Sequence, residues 1–583
     1  MGGREAPGCG LITGACLIPA RHPECEIRAD FRPVTASKGE TTMHGPMMDY
    51  PLTLTHFFER TRRLFAKKTL ATRLPGGAIF RYTYRDFAER TSRLAAALQA
   101  LGIGKGDRVG TFAWNSHRHH ELYWAVPMLG AVLHTVNIRL SARDLTFIIN
   151  HAGDSVLFVG ASLWPTIAAI RKDLKTVKHY VVMRSTEEAV PPDALEYESL
   201  VQDARPLTAW PRLDENDAAG MCYTSGTTGH PKGVVYTHRA IFLHSLAQAT
   251  VDSVFALSER DVILHVVPMF HVNAWGVPFT ATMVGATQIF GGPNPQPRDI
   301  LELIQAERVT YMGAVPTIWI ALKELLDKER YDIAGLRGIV GGSAAPKGLI
   351  ELFEKKYGVI LTSAWGMTET TPVGVISRVK SYMQDLAEEE CYAIRNKAGY
   401  PSVCVEIRAI DEEGREVPWD GKTMGELQVR GPWVTSGYYE YEGGARQFTE
   451  DGWFRTGDVV TIDPEGYVQI MDRTKDLIKS GGEWISSVDM ETLLMSHPKV
   501  LEAAVIAVPH PHWLERPLAC VVPKPEHKGT LTAEELTEFL RSQVAKWWLP
   551  DEIVFVEAIP KTSVGKFDKK VLREQFKNWT PKE

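Results

Sequence analysis

The run Tyr223-Thr-Ser-Gly-Thr-Thr-Gly-His-Pro-Lys-Gly233 gathers hydroxyls, glycines and one lysine into a single stretch. Gly226, Gly229 and Gly233 let the backbone take φ > 0 and bring N–H groups close to anionic oxygens. Thr224, Ser225, Thr227 and Thr228 add neutral donors, and Lys232 supplies a positive charge. The combination suits a polyphosphate. It is not the P-loop of nucleoside triphosphatases, which ends in Gly-Lys-Ser/Thr, because Lys232 stands between Pro231 and Gly233. Taken alone, such a run also reads as an ordinary Gly/Ser/Thr surface loop.

Further constellations lie downstream. Ser363-Ala-Trp-Gly-Met-Thr-Glu-Thr-Thr371 sets an aromatic, a glycine, a hydroxyl and a carboxylate almost side by side. Trp365 can stack on adenine, Thr368 can donate to an α-phosphate, and Glu369 can ligate Mg²⁺ through a hard oxygen. The competing reading is a packed aromatic beside a solvated Glu. Gly452-Trp-Phe-Arg-Thr-Gly-Asp458 ends in an acid suited to accept both hydroxyls of a ribose. Arg473, in Asp472-Arg-Thr-Lys-Asp-Leu-Ile-Lys479, could reach ribose or phosphate, although surface Arg and Lys are more often solvated charges. The lysine cluster in Pro560-Lys-Thr-Ser-Val-Gly-Lys-Phe-Asp-Lys-Lys570 reads by itself as a solvated tail.

In residue order these runs resemble the signatures of the adenylate-forming superfamily, which contains acyl-CoA synthetases, peptide-synthetase adenylation domains and luciferases. The resemblance covers about residues 47 to 580, with five ordered motifs. It implies an enzyme that binds ATP with Mg²⁺, forms acyl-AMP and pyrophosphate from a carboxylate, and passes the acyl group to coenzyme A.

Residue by residue, the resemblance implies that Thr224–Gly229 and Lys232 hold the β/γ-phosphates, with Ser225 and Glu369 at the metal. Gly341-Gly-Ser-Ala-Ala-Pro346 matches an adenine-side loop, bringing in Gly342, Ser343 and Ala344 beside Ala364, Trp365 and Gly366. Relatives usually carry Tyr at position 365; Trp365 keeps the stacking face and lacks the phenolic hydroxyl. Asp458 and Arg473 fall on the ribose, Lys475 on a hinge, and Lys479 on the nucleotide side. In Ser480-Gly-Gly-Glu-Trp-Ile-Ser-Ser487, the residues Ser480, Gly481, Gly482 and Glu483 match a loop that a pantetheine arm approaches closely. Trp484 contacts the nucleotide or organises that loop. Lys566 matches the C-terminal lysine that bridges the reacting carboxylate and α-phosphate, an electrostatic role.

Val266-Val-Pro-Met-Phe-His-Val-Asn-Ala-Trp-Gly276 looks most like the medium- to long-chain fatty acyl-CoA ligases. The likeness puts His271 beside the acyl carboxylate and makes Trp275 a gate on a fatty-acid tunnel. Gly276 follows it, and Gly313, Val315 and Pro316 line the same pocket. Apolar walls would hold the chain at ~0.8 kcal/mol per buried CH₂. Other readings stay open: a fatty acyl-AMP ligase, another acyl- or aryl-CoA ligase, a luciferase-like oxygenase, or a catalytically silent nucleotide or lipid sensor. A homodimer is compatible with the likeness, as is peripheral contact with a membrane.

The elements that must position these residues follow from composition and periodicity. At 583 residues the chain predicts several domains. Its 44% hydrophobic and 23% charged content is that of a soluble globular protein, and a net charge of −6 argues against nucleic acid. Seven scattered cysteines without C-x-x-C pairing point to a reducing compartment, the cytoplasm, rather than a disulfide or zinc framework. Val262 to Pro297 contains no charged residue, but Pro268, His271, Asn273, Pro278 and Gln288 argue against an integral membrane segment. Buried strands and turns lining a pocket are expected there.

Strand–helix alternation predicts an α/β fold. Helices are expected near 54–64, 86–101, 119–130 and from His238, with strands near 107–114, 131–136, 155–159, 179–183, 220–223 and 287–290. Short alternating strands at 404–410, 425–429 and 466–471 predict a small β subdomain. After residue 475 the pattern restarts with helices near 488–495 and 533–546 and strands near 503–508, 519–522 and 553–556. The expected architecture is a large N-terminal domain (47–471) of two doubly wound α/β subdomains plus the small β subdomain. A hinge (472–478) then leads to a smaller mobile α+β C-terminal lid domain (479–583). Residues 1–46 read as a disordered tail.

Overall fold

The computed structural model describes residues 45–579 apart from 186, 225–229, 251–255, 344, 346–347, 481–482, 563–566 and 578. The chain divides into two compact units, Met1–Tyr50 with Thr208–Trp210, and Pro51–Leu207 with Pro211–Glu583. Every helix and strand of the described residues lies in the second.

The described residues of the second unit form four sheets. In a seven-stranded sheet the order is Leu195–Glu196, His179–Met183, Asp154–Gly160, Arg108–Phe112, Val132–Thr135, Ala218–Thr224 and Lys232–Thr237. All neighbours are parallel except the last pair, a hairpin. Strands buried on both faces need near-continuous apolar runs, and Val156–Val159 is wholly buried.

The second sheet has nine strands, ordered Tyr400–Pro401, Val373–Ile376, Ile360–Gly366, Arg337–Val340, Tyr311–Ala314, Val262–His265, Thr287–Phe290, Thr69–Arg73 and Ile79–Thr83. Its six central strands, Ile360–Gly366 to Thr69–Arg73, run parallel, with antiparallel strands added at both edges. A four-stranded antiparallel sheet, Glu406–Ile410, Gly425–Arg430, Phe454–Ile462 and Val468–Arg473, is the expected small β unit. The C-terminal sheet joins Glu483–Ile485, Ile478–Ser480, Leu514–Pro523 and Val500–His510, with Glu552–Phe555 parallel to Leu514–Pro523.

Local signals set the helix ends. Thr83 and Asp86 form a reciprocal capping box that starts Tyr84–Ala100. Ser141 caps Ala142–Ala152, which stops at Gly153 with φ 71°.

Two segments differ from the sequence expectation. Within 262–297 the structure adds a helix, Val277–Val284, entered by Pro278 in its first turn and closed by Gly285 at φ 79°. It is buried almost all round, so no amphipathic period betrays it. The helix expected over 533–546 ends at Arg541 and is followed by a separate 3₁₀ turn, Lys546–Trp548. None of the helices of the described residues is long and apolar enough to cross a membrane.

Under the nine-stranded sheet, Trp319 is fully buried with Leu361 and Phe353, and its indole N–H donates to the Ile339 carbonyl at 3.2 Å. Gly338 makes room for it, since a Cβ there would lie 2.6 Å from the indole. Trp319→Ala is expected to destabilise the protein by about 3–5 kcal/mol, seen as a lowered thermal midpoint. An unchanged midpoint would show that the indole is not the keystone of this core.

Candidate active site

The polyphosphate run lies across a hairpin. Strands Ala218–Thr224 and Lys232–Thr237 pair in register down to Thr224 opposite Lys232. Between them Ser225, Gly226, Thr227, Thr228 and Gly229 lie outside the described residues. Lys232 therefore opens a strand instead of sitting within the loop, and pairing with Thr224 fixes its backbone. Its Nζ donates to Gln447 Oε1 at 2.8 Å and lies over the rings of Tyr438 (4.7 Å) and Tyr441 (4.9 Å). Burial draws its pKa down, and nearby Glu369 opposes the shift. Among the described residues no carboxylate is bonded to this amine, which an amide and two ring faces hold.

Glu369 lies opposite. Strand Ile360–Gly366 supplies Ala364, Trp365 and Gly366, then gives way to a 3₁₀ turn, Thr368–Thr370. The change of direction needs a glycine: a Cβ on Gly366 would lie 1.9 Å from the Pro372 carbonyl oxygen. Thr368 and Glu369 are both buried. The Thr368 carbonyl accepts from Tyr236 of the hairpin at 2.9 Å, and Glu369 Oε1 accepts the Tyr438 hydroxyl at 2.7 Å. Burial pushes the Glu369 carboxyl above its usual range, opposed by the Tyr438 bond and by the charges of Arg473 and Lys232.

Tyr438 thus touches both Lys232 and Glu369, and the sequence reading passed over it. So did it pass over Gln447. The only signal was the aromatic cluster Tyr438-Tyr-Glu-Tyr441, which carries no chemistry until folding sets it against Lys232.

Asp458 forms the third corner. It is 3% exposed, and its two oxygens take separate donors: Trp365 Nε1 at 2.8 Å and Arg473 Nε at 2.7 Å. The ion pair is dictated by register, because Asp458 and Arg473 face each other across antiparallel strands. The indole N–H of Trp365 thereby has a partner of its own, and the ring lies on Gly374, where a Cβ would come within 2.4 Å. Gly342 is half-buried with φ 85°, and Ser343 is exposed. Ala344 lies outside the described residues.

The segment expected on the acyl side has an unusual backbone. Val272, Asn273, Ala274 and Trp275 have φ of 45°, 51°, 50° and 58°, and Gly276 follows at 71°. A left-handed turn of L-residues costs roughly 1–2 kcal/mol per residue, so its surroundings must impose it. The Asn273 amide oxygen accepts from Thr135 (3.4 Å) and Cys222 (3.5 Å), and the Trp275 carbonyl accepts from Gln248 Nε2 (2.8 Å). His244 packs on Gly276 so closely that a Cβ there would lie 2.6 Å from its ring. The Trp275 ring lies over Gly313 and Gly341, where added Cβ atoms would come within 3.2 and 3.1 Å. His271 is half-buried, with its N–H bonded to the Pro268 carbonyl at 3.0 Å. Val315 caps the helix that begins at Pro316.

The remaining expected residues sit at the C-terminal sheet. Lys475 is exposed. Ser480 is buried and its hydroxyl accepts from Arg516 at 3.0 Å. Gly481, Gly482 and the Glu483 side chain lie outside the described residues, as does Lys566. Lys479 pairs with Glu412 at 2.5 Å and lies over the Trp484 ring at 4.7 Å. The structure therefore groups Lys479 and Trp484 with a turn of the four-stranded sheet instead of with Asp458, Trp365 or Glu369.

Among the described residues no cluster of three or more His, Cys, Asp or Glu side chains is set to hold a metal. One buried carboxylate fits Mg²⁺, which binds through one or two carboxylates and takes its other ligands from substrate phosphates and water.

Comparison with known proteins gives the family of the chain. The model of the AMP-binding enzyme family matches residues 58–439, and that of the AMP-binding enzyme C-terminal domain matches residues 489–566. A long-chain-fatty-acid–CoA ligase of Thermus thermophilus is 53% identical over 91% of this chain and 97% of its own. A 3-methylmercaptopropionyl-CoA ligase of Ruegeria lacuscaerulensis is 43% identical over 92% and 99%. The crystal structure of ATP-bound MatB from Rhodopseudomonas palustris superposes with a TM-score of 0.76 at 27% identity, covering 91% of this chain and 99% of that one. Matched by that family's model over most of its length, the chain belongs to the AMP-binding enzyme family.

Proposed function

We propose that the protein is a medium- to long-chain fatty acid–CoA ligase, working with ATP, Mg²⁺ and coenzyme A. The observation that carries the reading is the contact of the Trp275 ring with Gly341. There the apolar turn of the acyl side abuts the loop expected beside adenine, so a carboxylate at the end of an apolar chain would meet a nucleotide.

In the first step a carboxylate oxygen attacks the α-phosphorus, the bond to the β-phosphate oxygen breaks, and pyrophosphate leaves. Lys232 and the hydroxyl loop Thr224–Gly229 hold the β/γ-phosphates, Thr368 donates to the α-phosphate, and Asp458 with Arg473 binds the ribose. Trp365 stacks on adenine beside Gly342–Ala344, and His271 adjoins the carboxylate. Glu369 and Ser225 would hold Mg²⁺, which lowers the charge on the phosphate oxygens. Lys566 aligns the two anions. In the second step the CoA sulfur attacks the acyl carbonyl and AMP leaves, with Ser480–Glu483 along the pantetheine arm.

The two steps call for two orientations of the C-terminal part, a gating motion. We read residues 47–471 as the nucleotide-binding domain, 472–478 as the hinge and 479–583 as the lid. In support, strand bonding toward Gly457 ends at Thr474, and Asp476 bonds to Arg573 of the last helix, leaving Lys475 between them. In this reading Lys479 and Trp484 reach the nucleotide only in the other orientation. The reading also includes a cytoplasmic location, a homodimer, and peripheral contact with the membranes that hold its acid. A second reading, a ligase for short thioether acids, draws on the Ruegeria relative.

Straight-chain acids from C4 to C18, benzoate and 3-methylmercaptopropionate, assayed for CoA-dependent AMP formation, should give the highest kcat/KM with a medium or long chain. A maximum at a short or aromatic acid would overturn the substrate assignment. Lys566→Ala should abolish pyrophosphate release while sparing acyl-CoA formation from supplied acyl-AMP; equal loss of both refutes its role. Trp275→Ala should broaden the chain-length profile, since it clears the space over Gly313 and Gly341, and an unaltered profile would remove Trp275 from the acyl path.

A further inference from the structure

Where the four-stranded sheet meets the C-terminal sheet, a chain of buried polar groups takes no part in the chemistry above. Asp472, 1% exposed, is the last residue but one of the strand Val468–Arg473 and pairs with Val459. Its Oδ1 accepts the Arg473 N–H at 2.7 Å, and its Oδ2 accepts both the N–H of Ser487, at 2.7 Å, and the Ser487 hydroxyl. The Ser487 oxygen in turn accepts from Lys569 Nζ, which also pairs with Glu491 Oε1 at 2.8 Å. Glu491 Oε1 accepts the Val505 N–H at 2.7 Å, which closes the chain inside the C-terminal sheet. Ser487 and Glu491 lie on the helix Ser487–Ser496, and Lys569 opens the helix Lys569–Gln575.

These bonds span the exposed residue Lys475. Asp472 is fixed on one side by strand pairing, while Ser487, Glu491 and Lys569 are fixed on the other. The Ser486 hydroxyl makes a parallel tie to the Met471 carbonyl. Turning the C-terminal part about Lys475 must break Asp472 from Ser487 and leave the carboxylate with only the Arg473 N–H of these three donors, a costly state. The sequence adds a second fact. Lys566 lies three residues before Lys569, and Gly482 five residues before Ser487. Both loops assigned to the two half-reactions therefore leave the chain next to members of this one network.

We propose that Ser487 and Lys569 are positioning residues that act through Asp472, holding the C-terminal part in the orientation of one half-reaction and thereby setting the ratio of the two. The inference rests on the two-step ligase reading.

Its test uses Ser487→Ala and Lys569→Met in the full chain. Pyrophosphate release from acid and MgATP, and acyl-CoA formation from supplied acyl-AMP and CoA, are followed separately in single turnover. Losing one bond to a charged group should change the ratio of the two rates by about tenfold. Both variants should move it in the same direction, with one rate kept or raised. A fixed ratio, or both rates falling by one factor, overturns the proposal. Should Lys569→Met not fold, Ser487→Ala decides alone, since it keeps the backbone N–H to Asp472 and its folding is checked by its melting midpoint. Wild-type protein lacking either half-reaction overturns the ligase reading together with this inference, whereas wild type running both beside variants of fixed ratio overturns the positioning role alone.

Discussion

Asp458 is the buried carboxylate on which the rest of the site depends. Two donors from different directions hold it, Trp365 from the nine-stranded sheet and Arg473 from the neighbouring strand of its own sheet. One side chain thus fixes how two sheets meet. Because the strand carrying Arg473 runs on toward the C-terminal sheet, the same ion pair also sets where that sheet begins. Removing Arg473 would leave the buried Asp458 carboxylate without its counter-charge, whereas Arg473, 41% exposed, would lose its partner at a lower cost.

The cations of the site are of one kind. Buried histidines nearby are held neutral by desolvation, His265 down to about 4 and His244 to about 3. Positive charge comes instead from Lys232 and Arg473; burial draws the lysine's pKa down against the pull of Glu369, and the Asp458 charge raises that of the arginine. A site with fixed cations and neutral imidazoles suits a reaction between anions, where charge must be balanced before bonds change.

Much of the fold could be read from the sequence because it rests on short-range signals. Thr83 and Asp86 announce a helix start, Gly153 a helix end, and Val156–Val159 a doubly covered strand. Residues with their own chemical signature, such as Lys232, Glu369 and Asp458, were equally visible; Asp458 meets Trp365 and Arg473, which the sequence had marked, and Glu369 meets Tyr438, which it had not. What stayed hidden depends on distance or context. Tyr438 and Gln447 acquire meaning only by lying against Lys232, far away in the chain. Lys479 carries the right charge but is drawn to Glu412. The left-handed turn at Val272–Trp275 was illegible because a β-branched valine argues against such a backbone, and the forces that impose it come from Gln248, Thr135 and Cys222.

That turn also limits which substitutions this segment can take. Positions 272 to 276 share a backbone that accepts few L-residues cheaply, and the ring of His244 closes the space above Gly276. Variation within the turn therefore carries a backbone cost, whereas Gly313 and Gly341 opposite have no left-handed backbone; a Cβ at either would meet the Trp275 ring, with Val267 3.6 Å from the first and the Ala364 carbonyl oxygen 3.2 Å from the second. An added methyl at Gly313 presses on side chains alone, whereas at Gly341 it also meets backbone, so of the two positions Gly313 can change at the lower cost.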